Sequence, residues 1–167
     1  MRTLLIGAAL GMLMLSLAAC GGSSTSSATQ QANQRKADFW DIDHIEKTFH
    51  KATTKQDIRL MMSLWAPNAT FTLGPGKTAT GKEQIRDFWL EESNLFQPAY
   101  RWISDHPAYK VRITVNGDRG TLHFECHYVD AKTKKVIVVT AADLDVARIN
   151  GRWLITNMVG GSTTLSL

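Results

Sequence analysis

The sequence predicts an α+β domain in which helices come first and a meandering antiparallel sheet follows. Three observations carry this. Apolar residues recur at helical spacing through the first half of the domain. They alternate with polar residues through the second half. Asn-Gly dipeptides at Asn116-Gly117 and Asn150-Gly151 separate the alternating runs as hairpin turns do.

The elements follow in order. Over 38–53, Phe39, Ile42, Ile45, Phe49 and Ala52 fall on one helical face. Thr53 or Thr54 is expected to cap a second helix, since Thr54-x-x-Asp57 has the spacing of a capping box. Ile58, Met61, Met62 and Trp65 give that helix its apolar face, and Pro67 is expected to stop it. A short strand over 69–73 leads into the turn Gly74-Pro75-Gly76. A third helix begins near Gly81, presents Ile85, Phe88 and Trp89, and runs to about Asn94. Beyond Pro98 the pattern changes to strands, over 109–115, 120–129, 136–149 and 152–159, with Gly160-Gly161 ending the ordered part. No internal repeat is present.

The first residues have a different character. Met1 and Arg2 precede a nearly unbroken apolar run over 3–15, and small residues follow. That is the layout of a secretory signal, and the run is shorter than the ~20 apolar residues a membrane span requires. Leu17-Ala18-Ala19-Cys20 resembles the lipobox of bacterial lipoproteins, in which the cysteine is acylated and becomes the new N-terminus. The resemblance implies a signal peptide over 1–19, a lipidated Cys20 and an exported protein held on the cell envelope. Gly21 after the cysteine favours the outer membrane if the host has one. Each buried acyl CH₂ contributes about 0.8 kcal/mol, so two or three chains anchor stably. Residues 20–36 then read as a flexible tether of Gly, Ser, Thr, Gln and Ala, with nothing to pack. As a coil it spans roughly 20 Å. The domain proper is 37–167.

Charge and cysteine content narrow the function. The chain has net charge +4, but without Arg2, Arg35 and Lys36 the remaining 16 basic residues nearly match the 15 acidic ones. There is no clustered basic footprint, so nucleic acid is not expected as a partner. With Cys20 lipidated, Cys126 is alone and no internal disulfide forms. Cys126 alternates with Leu122, Phe124 and Tyr128 and reads as a small buried hydrophobe, while its neighbour His127 points to the opposite face.

Three stretches resemble SnoaL-like proteins of the nuclear transport factor 2-like superfamily. They are Leu64-Trp65-Ala66-Pro67-Asn68-Ala69-Thr70-Phe71, Gly81-Lys82-Glu83-Gln84-Ile85-Arg86-Asp87-Phe88-Trp89, and the closing hairpin from Asp145 to Ile155. The resemblance implies a cone: three helices packed on a strongly curved, mostly antiparallel sheet that encloses a pocket. Relatives include isomerases, cyclases, dehydratases and members without chemistry, so fold does not choose the function. In the related ketosteroid isomerases a general-base Asp follows the first strand. The corresponding position here holds Leu73 or a nearby Gly, which cannot move a proton. A second, protonated Asp on the strand before the last hairpin corresponds to Asp145.

If Leu122 pairs with Leu144, then Leu122, Phe124, Cys126, Tyr128, Ala142 and Leu144 share one face. His123, Glu125, His127, Asp143 and Asp145 share the other. His123 with Asp145 is the candidate acid–base pair; the same polar face equally describes a solvated surface or a dimer contact. His123 and His127 lie some 13 Å apart along a strand, too far for one ion, so no metal and no cofactor is expected. His44 and His50 are six apart on the first helix and read as surface residues. Trp65, Phe71, Trp89 and Trp102 come from segments that meet at the mouth of the cone, and they are candidates for lining a pocket as well as for filling a core.

Three functions are therefore open: a pocket for a small apolar or amphipathic molecule, an isomerase, cyclase or dehydratase using Asp145 and His123, and an interaction domain that forms a homodimer through its sheet. The missing base counts against the enzyme. The anchor is tested directly. Cys20→Ser is expected to release the protein from membranes or leave its leader uncleaved, which fractionation and electrophoretic mobility report.

Overall fold

The computed structural model describes residues 23–74, 76–96, 102–103, 109–130 and 132–164. The leader and Cys20 lie outside them. Helix α1 spans Ser23–Lys55, α2 Ile58–Met62 and α3 Gly81–Asp87, the last continuing through a π-helical turn over Phe88–Glu92. Strands β1 Trp65–Leu73 and β2 Lys77–Thr80 precede α3. Strands β3 Trp102–Ile103, β4 Tyr109–Asn116, β5 Arg119–Asp130, β6 Val136–Ile149 and β7 Arg152–Thr164 follow it. One sheet runs β2-β1-β7-β6-β5-β3, with β4 also paired to β5. Only β1 against β7 is parallel; every other pairing is antiparallel. Among the described residues no helix is long and apolar enough to cross a membrane.

The expected register holds. Leu122 pairs with Leu144, which puts Leu122, Phe124, Cys126 and Tyr128 on the inner face with Ala142, Leu144 and Val146. Against that face lie Ile42, Ile45, Phe49 and Ala52 of α1, all buried. The close approach is visible at Gly120. A Cβ there would stand 2.5 Å from the Thr114 carbonyl oxygen and 3.2 Å from the Ile42 side chain. Only glycine lets β5 approach the β4 backbone this closely beneath the helix.

Several elements differ from expectation. The stretch read as flexible coil is helical from Ser23 onward, with exposed side chains over 27–37. Once the amphipathic part nucleates the helix, each added residue forms one hydrogen bond without a new nucleus. The Ala, Gln, Arg and Lys residues here propagate a helix well, and Gln34 Nε2 donates to Asp38 Oδ1 at 2.9 Å. The second helix is capped by Asp57, whose Oδ1 accepts from the Leu60 amide at 3.0 Å, rather than by Thr53 or Thr54. It ends at Met62, not at Pro67. Pro67 lies inside β1, where the pairing with β7 shifts register between Trp65 and Thr70. A residue without an amide hydrogen is tolerated in a strand at such an irregularity. Finally, β2 was not anticipated, and β7 continues past Gly160 and Gly161 to Thr164 because β6 pairs it that far.

An ionic clamp fastens α1 to the last hairpin. Asp38 is buried, yet Arg148 Nη2 donates to its Oδ1 at 2.5 Å and Trp153 Nε1 at 3.3 Å. Arg148 Nε also reaches Asp118 at 2.9 Å, and its guanidinium lies 4.8 Å from the Trp153 ring centre. Burial pushes the Asp38 carboxyl up, but the hydrogen bonds from Arg148, Gln34 and Trp153 outweigh it and hold the carboxyl below its ordinary value. A carboxyl depressed in the folded state adds stability above its unfolded pKa, and that stability is lost as pH falls through the folded value. Asp38→Ala is expected to cost about 2 kcal/mol at neutral pH, at the low end for a buried pair because Arg148 keeps Asp118. Urea unfolding should show the gap to the unmodified protein closing below the ordinary carboxylate range.

Candidate functional site

Two constellations compete as the site. The first was expected, on the sheet's polar face. His123 and Asp143 stand directly opposite in the ladder, and His123 Nδ1 lies 2.7 Å from Asp143 Oδ1. Asp145 pairs with Thr121 instead, one step further along the same face. Its Oδ2 accepts from Asn157 Nδ2 at 3.2 Å, and Thr70 Oγ1 donates to Asn157 Oδ1 at 2.6 Å. Asp145 is exposed, and the Asp143 side chain is 76 % exposed. Asp145 therefore does not point into the cone and does not pair with His123. The period of two sends every odd residue of β6 outward once Leu144 is inside. The acid–base assignment to Asp145 and His123 falls with that geometry, since neither group faces the aromatic interior.

The second constellation is inside. Trp65, Phe71 and Trp89 are buried and form one cluster. Phe71 stacks on Trp89 with ring centres 5.5 Å apart and an interplanar angle of 12°. Trp65 meets Phe71 edge-on at 5.7 Å, and Phe49 meets Trp89 at 5.5 Å. These three rings are enclosed within the cone rather than standing open at its rim. Trp102 opens β3 opposite Asp130, and its side chain lies outside the described residues. The indole nitrogens of Trp65 and Trp89 are fully enclosed with no hydrogen-bond partner among the described residues. Buried donors are nearly always paired, so two such indoles in one cluster call for an explanation.

Beside the rings sits a buried polar group that the sequence reading missed. Glu46, His50 and Thr53 project from one side of α1, and Cys126 and Tyr128 come from β5; all are buried. His50 Nε2 lies 3.3 Å from Glu46 Oε1 and also contacts Cys126 Sγ. His50 is thus an interior residue, not the surface one expected, whereas His44 is exposed as expected. The signal was present: positions 46, 50 and 53 flank the apolar stripe of 42, 45, 49 and 52.

The chemistry open to this group is limited by burial. Desolvation, then the charge of Glu46, pushes the Cys126 thiol far up, so it stays protonated. Desolvation does the same to the Tyr128 phenol. The carboxylate and the thiol meet the same nitrogen of His50. In a nucleophilic triad the acid orients the ring through the other nitrogen, so this arrangement is not one. Cys126 is the small buried hydrophobe expected, and a Glu46–His50 pair able to hold or pass a proton remains. Among the described residues no three His, Cys, Asp or Glu side chains converge to hold a metal ion. The outer face predicts its own test: Asp145→Asn should change stability by less than about 0.5 kcal/mol, measured by urea unfolding, because the carboxylate is solvated.

Comparison with known proteins agrees with this architecture. The family model described as "SnoaL-like domain" matches residues 45–154. No curated protein matches the chain. An NTF2-like protein with a cystatin-like fold from Novosphingobium aromaticivorans is similar at 14 % identity and TM-score 0.66, over 85 % of this chain and 91 % of that one. A hexachlorocyclohexane dehydrochlorinase, LinA type 2, is similar at 20 % identity and TM-score 0.61, over 79 % and 91 %. A putative dehydratase of the NTF2-like family from Streptomyces avermitilis is similar at 12 % identity and TM-score 0.62, over 78 % and 99 %. At such identities these structures speak for the fold alone. With the family match over most of the folded region, the chain belongs to the SnoaL-like domain family of the NTF2-like superfamily.

Proposed function

We propose that this protein is an exported lipoprotein, anchored to the cell envelope through Cys20, whose SnoaL-like domain binds a small, largely apolar molecule that carries a hydrogen-bond acceptor. The observation that supports this most is the pair of enclosed indole donors of Trp65 and Trp89 within a wall of aromatic rings. An apolar interior with a few directed polar groups is the usual character of a small-molecule site. An acceptor on the ligand satisfies a donor that otherwise bears its full desolvation cost. The neighbouring Glu46–His50 pair adds a second polar anchor.

That pair also supports a second reading, an enzyme that moves a proton on the bound molecule. His50 takes the place of the His123 and Asp145 assignment in it. The names of two fold neighbours, a dehydrochlorinase and a putative dehydratase, give eliminations as the reaction class to try first. Unbiased mass spectrometry of small molecules carried by the purified protein tests the binding reading, which fails if nothing is carried from cells or captured from an envelope extract. Trp65→Phe keeps the ring and removes the donor. It is expected to weaken binding by about 1 kcal/mol, roughly fivefold. His50→Gln separates the two readings, because it abolishes turnover while a binding-only protein retains its ligand at reduced affinity.

A further inference from the structure

A groove between α1 and the last hairpin is lined by none of Trp65, Phe71 and Trp89. Its walls come from three elements: α1, the residues after α2, and the β6–β7 hairpin. The cavity is about 310 Å³, at the small end of ligand sites, and suits a single ring. Trp40 stands on its wall and is 62 % exposed, unlike the buried Trp65, Trp89 and Trp153. A free indole that exposed would be mobile, but this one is held flat against His44, with ring centres 4.8 Å apart and an interplanar angle of 17°. The floor is Trp153 with Leu64. The Trp153 ring is fixed by its bond to Asp38 and by the Arg148 guanidinium over its face. Two aromatic surfaces are therefore set before any ligand arrives, which lowers the entropic cost of binding.

The polar groups around these rings select the ligand. Asp41 and Arg152 both line the groove, one an acceptor and one a donor of opposite charge. Arg152 Nη2 lies 3.4 Å from the Ser63 carbonyl oxygen, which places the guanidinium at the rim. A cation meets Arg152 and an anion meets Asp41, so neither is favoured. A purely aromatic ligand leaves both charged groups unused. A neutral ring with one apolar C–H face and an edge of hydroxyls, which donate and accept, matches every part. We propose that the Trp40 groove is a sugar-binding site that takes one pyranose ring, stacked on the indole with its hydroxyls shared between Asp41 and Arg152. The sugar could arrive free or as a residue of a glycan chain, and the same contacts serve both.

The test uses the full chain in micelles of a sugar-free detergent. Saturation-transfer NMR is recorded with glucose, N-acetylglucosamine, cellobiose and chitobiose, and co-sedimentation with insoluble cellulose, chitin and peptidoglycan. At least one sugar is expected to receive saturation on its ring C–H protons, with a Kd on the order of 1 mM or tighter. Trp40→Ala is expected to weaken it at least tenfold and Arg152→Ala severalfold. Leu90→Ala, at an exposed apolar side chain elsewhere, should leave it unchanged. Trp40 is exposed, so its loss leaves the fold intact, as circular dichroism will verify. Pull-down by a polymer without transfer to the small sugars identifies a glycan chain as the source. No transfer and no co-sedimentation with any sugar overturns the proposal. So does binding undiminished by Trp40→Ala, or capture of indole by the groove with every sugar excluded. None of these outcomes bears on the interior ligand, whose contacts are on other residues.

Discussion

The rest of the structure depends on the burial of one face of α1 against the inner face of the β5–β6 pair. Ile42, Ile45, Phe49 and Ala52 share one core with Leu122, Phe124, Ala142 and Leu144, and every one is nearly inaccessible. Area removed from water at about 25 cal/mol per Å² is the dominant favourable term available to a domain without an internal disulfide. Gly120 lies under Ile42 in that packing, where β5 approaches the β4 backbone too closely for a side chain. The Asp38–Arg148–Trp153 clamp then fixes the helix along its axis at the end where the last hairpin closes.

Function follows from the same constraint. Because Leu122 faces Leu144, His123, Asp143 and Asp145 must face the other way, out of the cone. Buried polar side chains inside the cone come from the helix instead, among them Glu46 and His50. The inner face supplies them with a thiol and a phenol held neutral by burial. The interior is thus poor in charge and rich in rings. The groove at Trp40 has the contrary character: it is open to water and has charges of both signs at its rim.

Much of this was legible before any coordinates. The alternation over 120–129 and 136–149 gave the strand pairing, the register and the burial of Cys126. The helical stripe gave the packed face of α1. Three kinds of feature were not legible. The extension of α1 to Ser23 carries no apolar pattern, because its side chains pack on nothing. The end of α2 was masked by Pro67, a residue that breaks helices and also sits in irregular strands. The roles of the tryptophans were opaque, since Trp40, Trp65 and Trp153 are the same residue in an exposed wall, an enclosed core and a clamped floor.

The sequence by itself determined which residues share a face and in what order the elements come. Both are set by local periods of 3.6 and 2, which neighbouring residues carry. The tertiary structure alone decided which of those faces meet and which polar groups come within reach of one another. His123 stands across from Asp143, as the Leu122–Leu144 register already requires. His50 meets Cys126, 76 positions away along the chain, because α1 lies across β5. That second contact is written in no local pattern, since it depends on where two separately periodic elements come to rest against each other.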